Sequence, residues 1–211
     1  MYAMTRYRRE RRGFFSQPTL IVTRALLGKR LVRQDPSGTR LSGIIIETEA
    51  YIGTEDQGCH ARSGCTSRNA SMWGPPGHAY VYFTYGMHWM LNIVTEREGF
   101  PAAVLLRAIL PQEGLEVMRQ RRNKRPVTTL TNGPAKLCQA LAIDHNQDGC
   151  DLCLQTSPLF VEEGYDIPDA NVTTGPRVGL NNVPEPWKSI PWRFLVLPGH
   201  IPDFAMEEDR R

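Results

Sequence analysis

Residues 41–51, LSGIIIETEAY, constrain the fold of this chain more than any other segment. Three consecutive isoleucines are typical of a strand buried on both faces, which favours a central position in a sheet. The strand ends in Glu47, Glu49 and Tyr51. Because alternate residues of a strand share a face, these three side chains should project together.

Two carboxylates on one face of an apolar strand need an explanation, since burying a charge is costly. One interpretation is that the strand has left the core, so that Glu47 and Glu49 are solvated or paired with arginines. The other is a general base in a semi-apolar cleft, beside an aromatic ring and partnered by Arg107. The pattern alone leaves both interpretations open.

The rest of the chain predicts strands with a few helices. Helices are predicted at residues 18–27, in PQEGLEVMRQRR with Pro111 and Glu113 at its start, in GPAKLCQALAI, and briefly after Thr54. Strands are predicted at KRLVRQ, TRLSGIIIETEAY, AAVLLRAIL, LFVEE, RVGL and RFLVLP. Residues 61–78, rich in Gly, Pro and Ser, predict a long loop.

AYVYFTY and MHWMLNIV are aromatic and β-branched runs on either side of Gly86, which predicts a hairpin with Tyr85-Gly86 at its tip. Aromatic residues on a hairpin are more often core than ligand platform, but a tyrosine at a glycine-containing tip is badly placed for a core. An exposed aromatic flanked by arginines suits a wedge that enters a DNA groove and replaces an extruded base. The residues alone therefore indicate a nucleic-acid-binding protein with a carboxylate site, and no more.

Composition bounds the organisation. A chain of 211 residues with 41% hydrophobic content suits one domain. The net charge is only +3, but arginines cluster in RYRRERR and MRQRRNKR, which raises the odds of a polyanionic partner.

We expect a basic and flexible N-terminal arm over residues 1–16, with phosphate binding as its hypothetical role, and a single domain over residues 17–205. No apolar run has the length of a membrane span, and no signal-peptide core follows the arginines, so an intracellular location is expected.

Five cysteines, an odd number, fit a reducing compartment better than a disulfide framework. A zinc site could be assembled from Cys150 and Cys153 with Cys59, His60 and Cys65. Neither group has the spacing of a known zinc motif. Buried thiols with a coincidental CxxC are the favoured interpretation, and no metal is expected.

Several motifs occur together in order between about Leu26 and Leu197: ETEAYIG, a loop closing with SRN, GPPGHAYVYFTYGMHWMLNIV, VLLRA, EGLEVMR and GPAKLCQALAI. This set resembles the alkyladenine (3-methyladenine) DNA glycosylase family. The resemblance implies a mixed α/β (α+β) single domain: a curved antiparallel β-sheet with a protruding β-hairpin, surrounded by helices, without metal or other cofactor.

The resemblance also implies roles for individual residues. The implied catalytic residues are Glu49, the base that deprotonates the attacking water, with Arg107 and the Val178 carbonyl, which hold that water. The implied base pocket has Tyr51 on one face, His60 and Tyr82 on the opposite face, and Asn92, which crowds the 2-amino group of guanine. The implied DNA contacts are the wedge Tyr85 with Met87 and His88 beside it, and Arg122 and Lys136.

The implied activity is that of a monofunctional glycosylase that flips alkylated or deaminated purines out of duplex DNA, hydrolyses the N-glycosidic bond and so initiates base excision repair. Its partner would be double-stranded DNA containing damaged purines, and it would act as a monomer and bind no membrane. Its expected location is intracellular and associated with DNA: the cytoplasm or nucleoid of a bacterium, or the nucleus of a eukaryote. Cys65 and Ser67 stand where the family tends to have Arg and Pro, and Met90 where a Cys is frequent. The missing arginine bears on DNA affinity or lesion range, not on the reaction. Two rival hypotheses are a non-catalytic damaged-DNA-binding module and a carbohydrate-directed hydrolase using Glu47 and Glu49 as acid and base.

Overall fold

An antiparallel sheet of eight strands dominates the fold, as seen in a computed structural model that describes residues 7–201. The strands are β1 (Arg30–Gln34), β2 (Arg40–Ile52), β3 (Ala79–Thr84), β4 (His88–Val94), β5 (Ala102–Glu113), β6 (Leu159–Glu162), β7 (Val172–Gly175) and β8 (Arg193–Val196). The α-helices are α1 (Arg12–Phe15), α2 (Thr19–Ala25), α3 (Leu115–Arg121), α4 (Val127–Leu130) and α5 (Pro134–Leu141). Short 3₁₀ turns cover His60–Ser63, Ala70–Trp73, His145–Gln147 and Asp169–Asn171.

Strand β2 lies in the middle of this sheet, as its isoleucines predict. The strand order is β3-β4-β5-β2-β1-β6, and β8 pairs with both β2 and β7. Strand β2 pairs with β1 over residues 40–44, with β8 over residues 47–49, and with β5 along most of its length. Ile44 and Ile45 are fully buried, whereas Ile46 is half-buried. The Glu47–Glu49 segment therefore pairs with β5 on one side and with β8 on the other, and β1 pairs with the preceding part of β2.

Helices α2 and α5 cover the sheet and complete the core. Thr48 turns away from Glu47 and Glu49, and its hydroxyl donates to the Thr23 carbonyl of α2 at 2.9 Å. Leu137 and Leu141 of α5 are fully buried in the same apolar cluster as the sheet residues. The expected single α+β domain with an antiparallel sheet is confirmed, and so is the hairpin formed by β3 and β4.

Some element predictions are wrong. Strand β5 continues through Pro111 to Glu113, and the following helix begins only at Leu115. RVGL forms no strand, because the Val178 N–H is bonded to the Glu49 carboxylate and Gly179 has a positive φ of 85°. No helix follows Thr54, and β7 was not predicted.

The basic arm expected over residues 1–16 falls partly outside the described residues. Its described portion, residues 7–16, contacts the domain. Arg12 forms an ion pair with Asp151, Arg9 stacks on the Phe160 ring, and Phe15 is fully buried in the core. The described part of the arm is therefore continuous with the domain, because its arginines find carboxylate and aromatic partners there.

Candidate active site

A cavity of about 340 Å³ opens where β2, β3, β4 and β5 meet the loop after β7. Its lining includes most of the residues that the sequence singled out: Tyr51, His60, Tyr82, Tyr85, Asn92, Arg107 and Val178. Glu49 lies directly behind this lining, with its side chain 0% exposed. Residues that lie far apart in the sequence, from position 49 to position 178, therefore meet at one recess.

Glu49 is held by three lining residues. Its Oε1 accepts the Val178 N–H at 2.7 Å, and its Oε2 accepts the Tyr51 hydroxyl at 2.9 Å. The Arg107 Nε lies 3.3 Å from Oε1. Every one of these groups favours the ionised carboxylate.

Glu47 shares the face with Glu49 but has different partners. Its Oε1 accepts from Arg107 Nε at 2.8 Å and from Arg193 Nε at 2.6 Å. Glu47 does not line the cavity. The strand has not left the core, since Glu47 is 9% and Glu49 0% exposed. Glu47 is nevertheless paired with arginines, as one interpretation expects, whereas Glu49 lies behind the lining of the recess.

The alternation of β2 explains this geometry. Glu47, Glu49 and Tyr51 project to one face as predicted, although the pairing of β2 with β5 shifts register on both sides of Glu47. A bulge of this kind re-aims side chains and is common next to functional sites. Here it sets Glu47 and Glu49 on either side of the same Arg107 Nε.

Burial controls the titration of the site. It raises the pKa of Glu49 above its ordinary value, opposed by Arg107, by the Val178 N–H and by the Tyr51 hydroxyl. Burial and the Glu49 charge also raise the pKa of Tyr51 well above its usual range. The Tyr51 hydroxyl consequently stays protonated and remains a donor to Glu49.

Aromatic rings form the walls of the recess. The His60 and Tyr82 rings meet edge to face with centroids 4.5 Å apart, and His60 Nδ1 lies 2.8 Å from the Tyr80 hydroxyl. Burial, then Arg68 and Arg62, lower the pKa of His60, which favours a neutral ring. Burial raises the pKa of Tyr82 to about 12. Uncharged, electron-rich rings therefore face the cavity.

Asn92 closes the recess on the β4 side. Its side chain is 3% exposed, and its Nδ2 donates to the Tyr80 carbonyl at 3.1 Å. This bond fixes the amide, so any molecule entering the cavity meets it in a defined orientation.

The hairpin tip projects beside the cavity mouth. Tyr85 is 82% exposed with a positive φ of 51°, and Met87 is 68% exposed. A second recess, of about 450 Å³, lies between the hairpin and α5 and is lined by Met87, His88, Arg122 and Lys136 among others. The structure therefore brings all five expected DNA-contact residues to one side of the molecule.

The two cations of that recess have polar partners. Lys136 Nζ donates to Asn132 Oδ1 at 2.8 Å, and Arg122 Nη1 donates to Gln139 Oε1. No carboxylate among residues 7–201 forms an ion pair with either side chain. Both positive charges are thus free of an acidic partner within the described part of the chain.

Three residues around the site escaped the sequence analysis. Arg177 and Asp56 form a fully buried ion pair next to Tyr51, and Arg193 pairs with Glu47. The only sequence signal was the position of Arg177, directly before Val178. Asp56 lies 121 residues from its partner, so no local pattern could connect them.

The cysteine groups are dispersed. Cys59 is buried with its Sγ 3.8 Å from Met72 Sδ, whereas Cys65 is exposed. Within residues 7–201, no three His, Cys, Asp or Glu side chains cluster as metal ligands would. No helix in this same range is long and apolar enough to cross a membrane.

The methylpurine-DNA glycosylase (MPG) family model matches residues 13–199. The chain belongs to this family. Among curated relatives, proteins named "Putative 3-methyladenine DNA glycosylase" match from Methanocella arvoryzae (48% identity; 87% of this chain and 90% of the relative) and Prosthecochloris aestuarii (49%; 81% and 81%). Another with the same name, from Chlorobaculum parvum, is 43% identical over 89% of this chain and 88% of its own length.

Membership of the methylpurine-DNA glycosylase family makes this protein a DNA glycosylase, an enzyme that hydrolyses N-glycosyl bonds in the repair of alkylated DNA. The resemblance noted from the sequence motifs is confirmed. The substrate is DNA, which is consistent with the exposed hairpin and the unpaired cations beside it.

Proposed function

We propose that this glycosylase flips alkylated and deaminated purines out of duplex DNA and hydrolyses the N-glycosidic bond with a water molecule that Glu49 activates. The observation that carries the proposal is the environment of Glu49. It is a fully buried carboxylate behind an aromatic cavity, held by donors from Tyr51, Arg107 and Val178. Buried titratable groups with such partners are concentrated at catalytic sites.

The proposed reaction starts with an extruded purine between the aromatic walls of the cavity. As the bond from C1′ to the base breaks, its electron pair leaves with the base. Water oxygen then bonds to C1′, and Glu49 takes the water proton. Arg107 and the Val178 carbonyl are the proposed groups that hold this water.

A purine alkylated at N3 or N7 is already cationic, so it leaves without a protein acid. The electron-rich rings of Tyr51 and Tyr82 would favour it by a cation–π interaction of about 0.5–2 kcal/mol. A deaminated purine is neutral and has to gain a proton to leave. We therefore expect faster release of alkylated than of deaminated bases.

Tyr85 is the proposed wedge that fills the space of the extruded nucleotide, with Met87 and His88 beside it in the groove. Arg122 and Lys136 are the proposed phosphate contacts. The proposed working form is a monomer.

Glu47 argues against a carbohydrate hydrolase that would use both glutamates. Such an enzyme needs two carboxyl groups facing the substrate. The Oε1 atom of Glu47 instead accepts from the Nε groups of two arginines, at 2.8 and 2.6 Å, which compensate its charge. The hairpin and the basic recess would also have no role in that reaction.

The test is single-turnover release of 7-methylguanine, hypoxanthine or ethenoadenine from a duplex, without added metal. We expect Glu49→Gln to slow release by about 100- to 10,000-fold, the usual contribution of a general base. Binding to an abasic-site duplex should be kept.

Binding without release in the wild type would instead identify a damage-binding module. Equal rates for wild type and Glu49→Gln would exclude Glu49 as the base.

A further inference from the structure

Arg177 and Asp56 form an ion pair behind the wall of the cavity. Arg177 Nη1 and Nη2 contact the two Asp56 carboxylate oxygens at 2.5 and 2.8 Å, and both side chains are 0% exposed. This two-point geometry fixes a guanidinium more strictly than a single contact does. Neither side chain lines the cavity, so neither would touch a bound base.

Arg177 also contacts Tyr51. Its Cζ lies 4.7 Å from the Tyr51 ring centroid and 5.1 Å from the Trp192 ring centroid. Its Nη1 donates to the Ala50 carbonyl at 2.9 Å, next to Tyr51 in β2. The guanidinium thus holds the ring and the backbone of the cavity wall together.

The same pair fixes two loops at the cavity rim. Asp56 accepts the Ile52 and Gly58 N–H groups at 3.2 and 2.9 Å, and Arg177 Nη2 donates to the Trp187 carbonyl at 3.3 Å. A Cβ at Gly58 would lie 2.8 Å from Arg177 Nη2 and 2.6 Å from Leu180. The loops are therefore packed too closely to shift independently.

Val178 follows Arg177 directly and gives its N–H to Glu49. Any movement of the Arg177 backbone therefore moves the donor of the 2.7 Å bond. We propose that Arg177, locked by Asp56, is a positioning residue: it holds the Tyr51 wall and aims the Val178 N–H at Glu49. The inference rests on the proposed function, in which Glu49 is the base.

The test removes both members of the pair in Asp56→Leu/Arg177→Met, because removing one alone would leave a buried charge without a partner. Arg33→Met is the matched control: Arg33 is 6% exposed, Arg177 is 4% exposed, and Arg33 does not line the cavity. Arg177→Lys, with Asp56 retained, keeps the charge but lacks the planar fork of the guanidinium. Compared with the double variant, it should therefore recover more of the wild-type thermal stability than of the wild-type release rate.

The first readout is the carboxyl-carbon NMR titration of Glu49, which does not depend on activity. The charged and titratable groups around Glu49 are Glu47 and Tyr51 on β2, Tyr82 on β3, Arg107 on β5 and Arg193 on β8. All of them are retained in the double variant, which removes Arg177 and Asp56 together, a pair without net charge. A misaimed Val178 N–H should raise the pKa of Glu49, since that bond lowers it. The acid limb of the rate profile should move to higher pH.

The second readout is single-turnover base release, which should fall by about 100-fold, the effect of a misplacement near 1 Å. Binding to the abasic duplex should be unchanged. A Glu49 titration and a release rate equal to those of Arg33→Met would overturn the positioning role. If wild type releases no base, the proposed function fails, and the NMR titration still decides whether Arg177 aims Val178 at Glu49.

Discussion

Glu47 and Glu49 lie one residue apart on the same face, yet their surroundings differ. Glu47 binds two arginine Nε groups within 2.8 Å. Glu49 is the more deeply buried of the two, and its one cationic partner among residues 7–201 is Arg107, at 3.3 Å, while Val178 and Tyr51 give it neutral donors. The charge of Glu49 is therefore less fully compensated than that of Glu47, which fits the proposed role of Glu49 as the residue that accepts a proton.

The buried charge of Glu49 should reduce stability. Its folded-state pKa is raised, so the folded protein binds its proton more tightly than the unfolded chain. The free energy of unfolding therefore falls as pH rises above the ordinary value of 4.5, and the loss is complete above the folded pKa. We expect Glu49→Gln to raise Tm near neutral pH, because the variant removes the cost of the buried charge. Thermal melts from acid to neutral pH should show the gain shrinking toward pH 4.5.

Glu47→Gln is the matched control for that measurement. It removes the charge that both Arg107 and Arg193 bind, so it should lower Tm near neutral pH. The proposed cost of burying the Glu49 charge would be contradicted if Glu47→Gln raised Tm. It would also be contradicted if the rise in Tm caused by Glu49→Gln did not change with pH.

At the scale of elements, the sequence predicted those whose signal is local. The apolar run of β2 predicts a buried strand, and the aromatic and β-branched runs on either side of Gly86 predict the hairpin of β3 and β4. Both predictions are confirmed. Pro111 misled, because proline suits both the first turn of a helix and an irregular point of a strand. The Gly43 to Pro111 pairing does lie at a register shift. Thr54 misled because the Asp56 side chain accepts nearby N–H groups, which competes with a helix.

The site was predicted unevenly for a related reason. Glu49, Tyr51 and the hairpin residues lie in motifs, so the sequence could name them and their family. The ion pair of Asp56 with Arg177 joins loops far apart in the chain, and only the folded sheet brings them together. Likewise, nothing in β2 alone shows that Arg193 from β8 would bind Glu47.

The hairpin tip gives a prediction about a single element. Tyr85 is exposed and has a positive φ, so its ring contributes little to folding. Asparagine tolerates that backbone conformation, which makes Tyr85→Asn the variant that keeps the turn and removes the ring. We expect an unchanged Tm and lesion-duplex binding weaker by about 5- to 160-fold, which corresponds to a stacking loss of about 1–3 kcal/mol. Anisotropy titrations would measure the binding.

Tyr85→Phe keeps the ring and should bind as the wild type does. If Tyr85→Asn binds lesion duplex normally and releases base at the wild-type rate, the tip is not the wedge.

At the scale of the whole molecule, the N-terminal arginines and the cations beside the hairpin lie at different recesses and differ in their acidic partners. Arg8, Arg9 and Arg11 line a recess of about 930 Å³ at the N-terminal segment, together with Glu113 and Glu162. Arg8 pairs there with Glu163, and Arg12 nearby pairs with Asp151. The second group, with Arg122 and Lys136, lies beside the hairpin. Net charge alone does not distinguish these two faces. They differ in that Arg8 and Arg12 form ion pairs with carboxylates, whereas Arg122 and Lys136 form none within residues 7–201.

This division predicts which face contacts DNA phosphates. Each phosphate contact contributes about 0.9 to the slope of log affinity against log salt concentration. Lys136→Gln should therefore reduce the slope for an abasic duplex by about that amount, with Tm unchanged. Arg12→Gln should leave the slope unchanged and lower stability by up to about 1 kcal/mol, because its carboxylate partner is within the protein. Titrations between about 50 and 200 mM salt cover the informative range. An Arg12→Gln slope as reduced as that of Lys136→Gln would show that the N-terminal segment also binds DNA, and that its ion pairs open on the duplex.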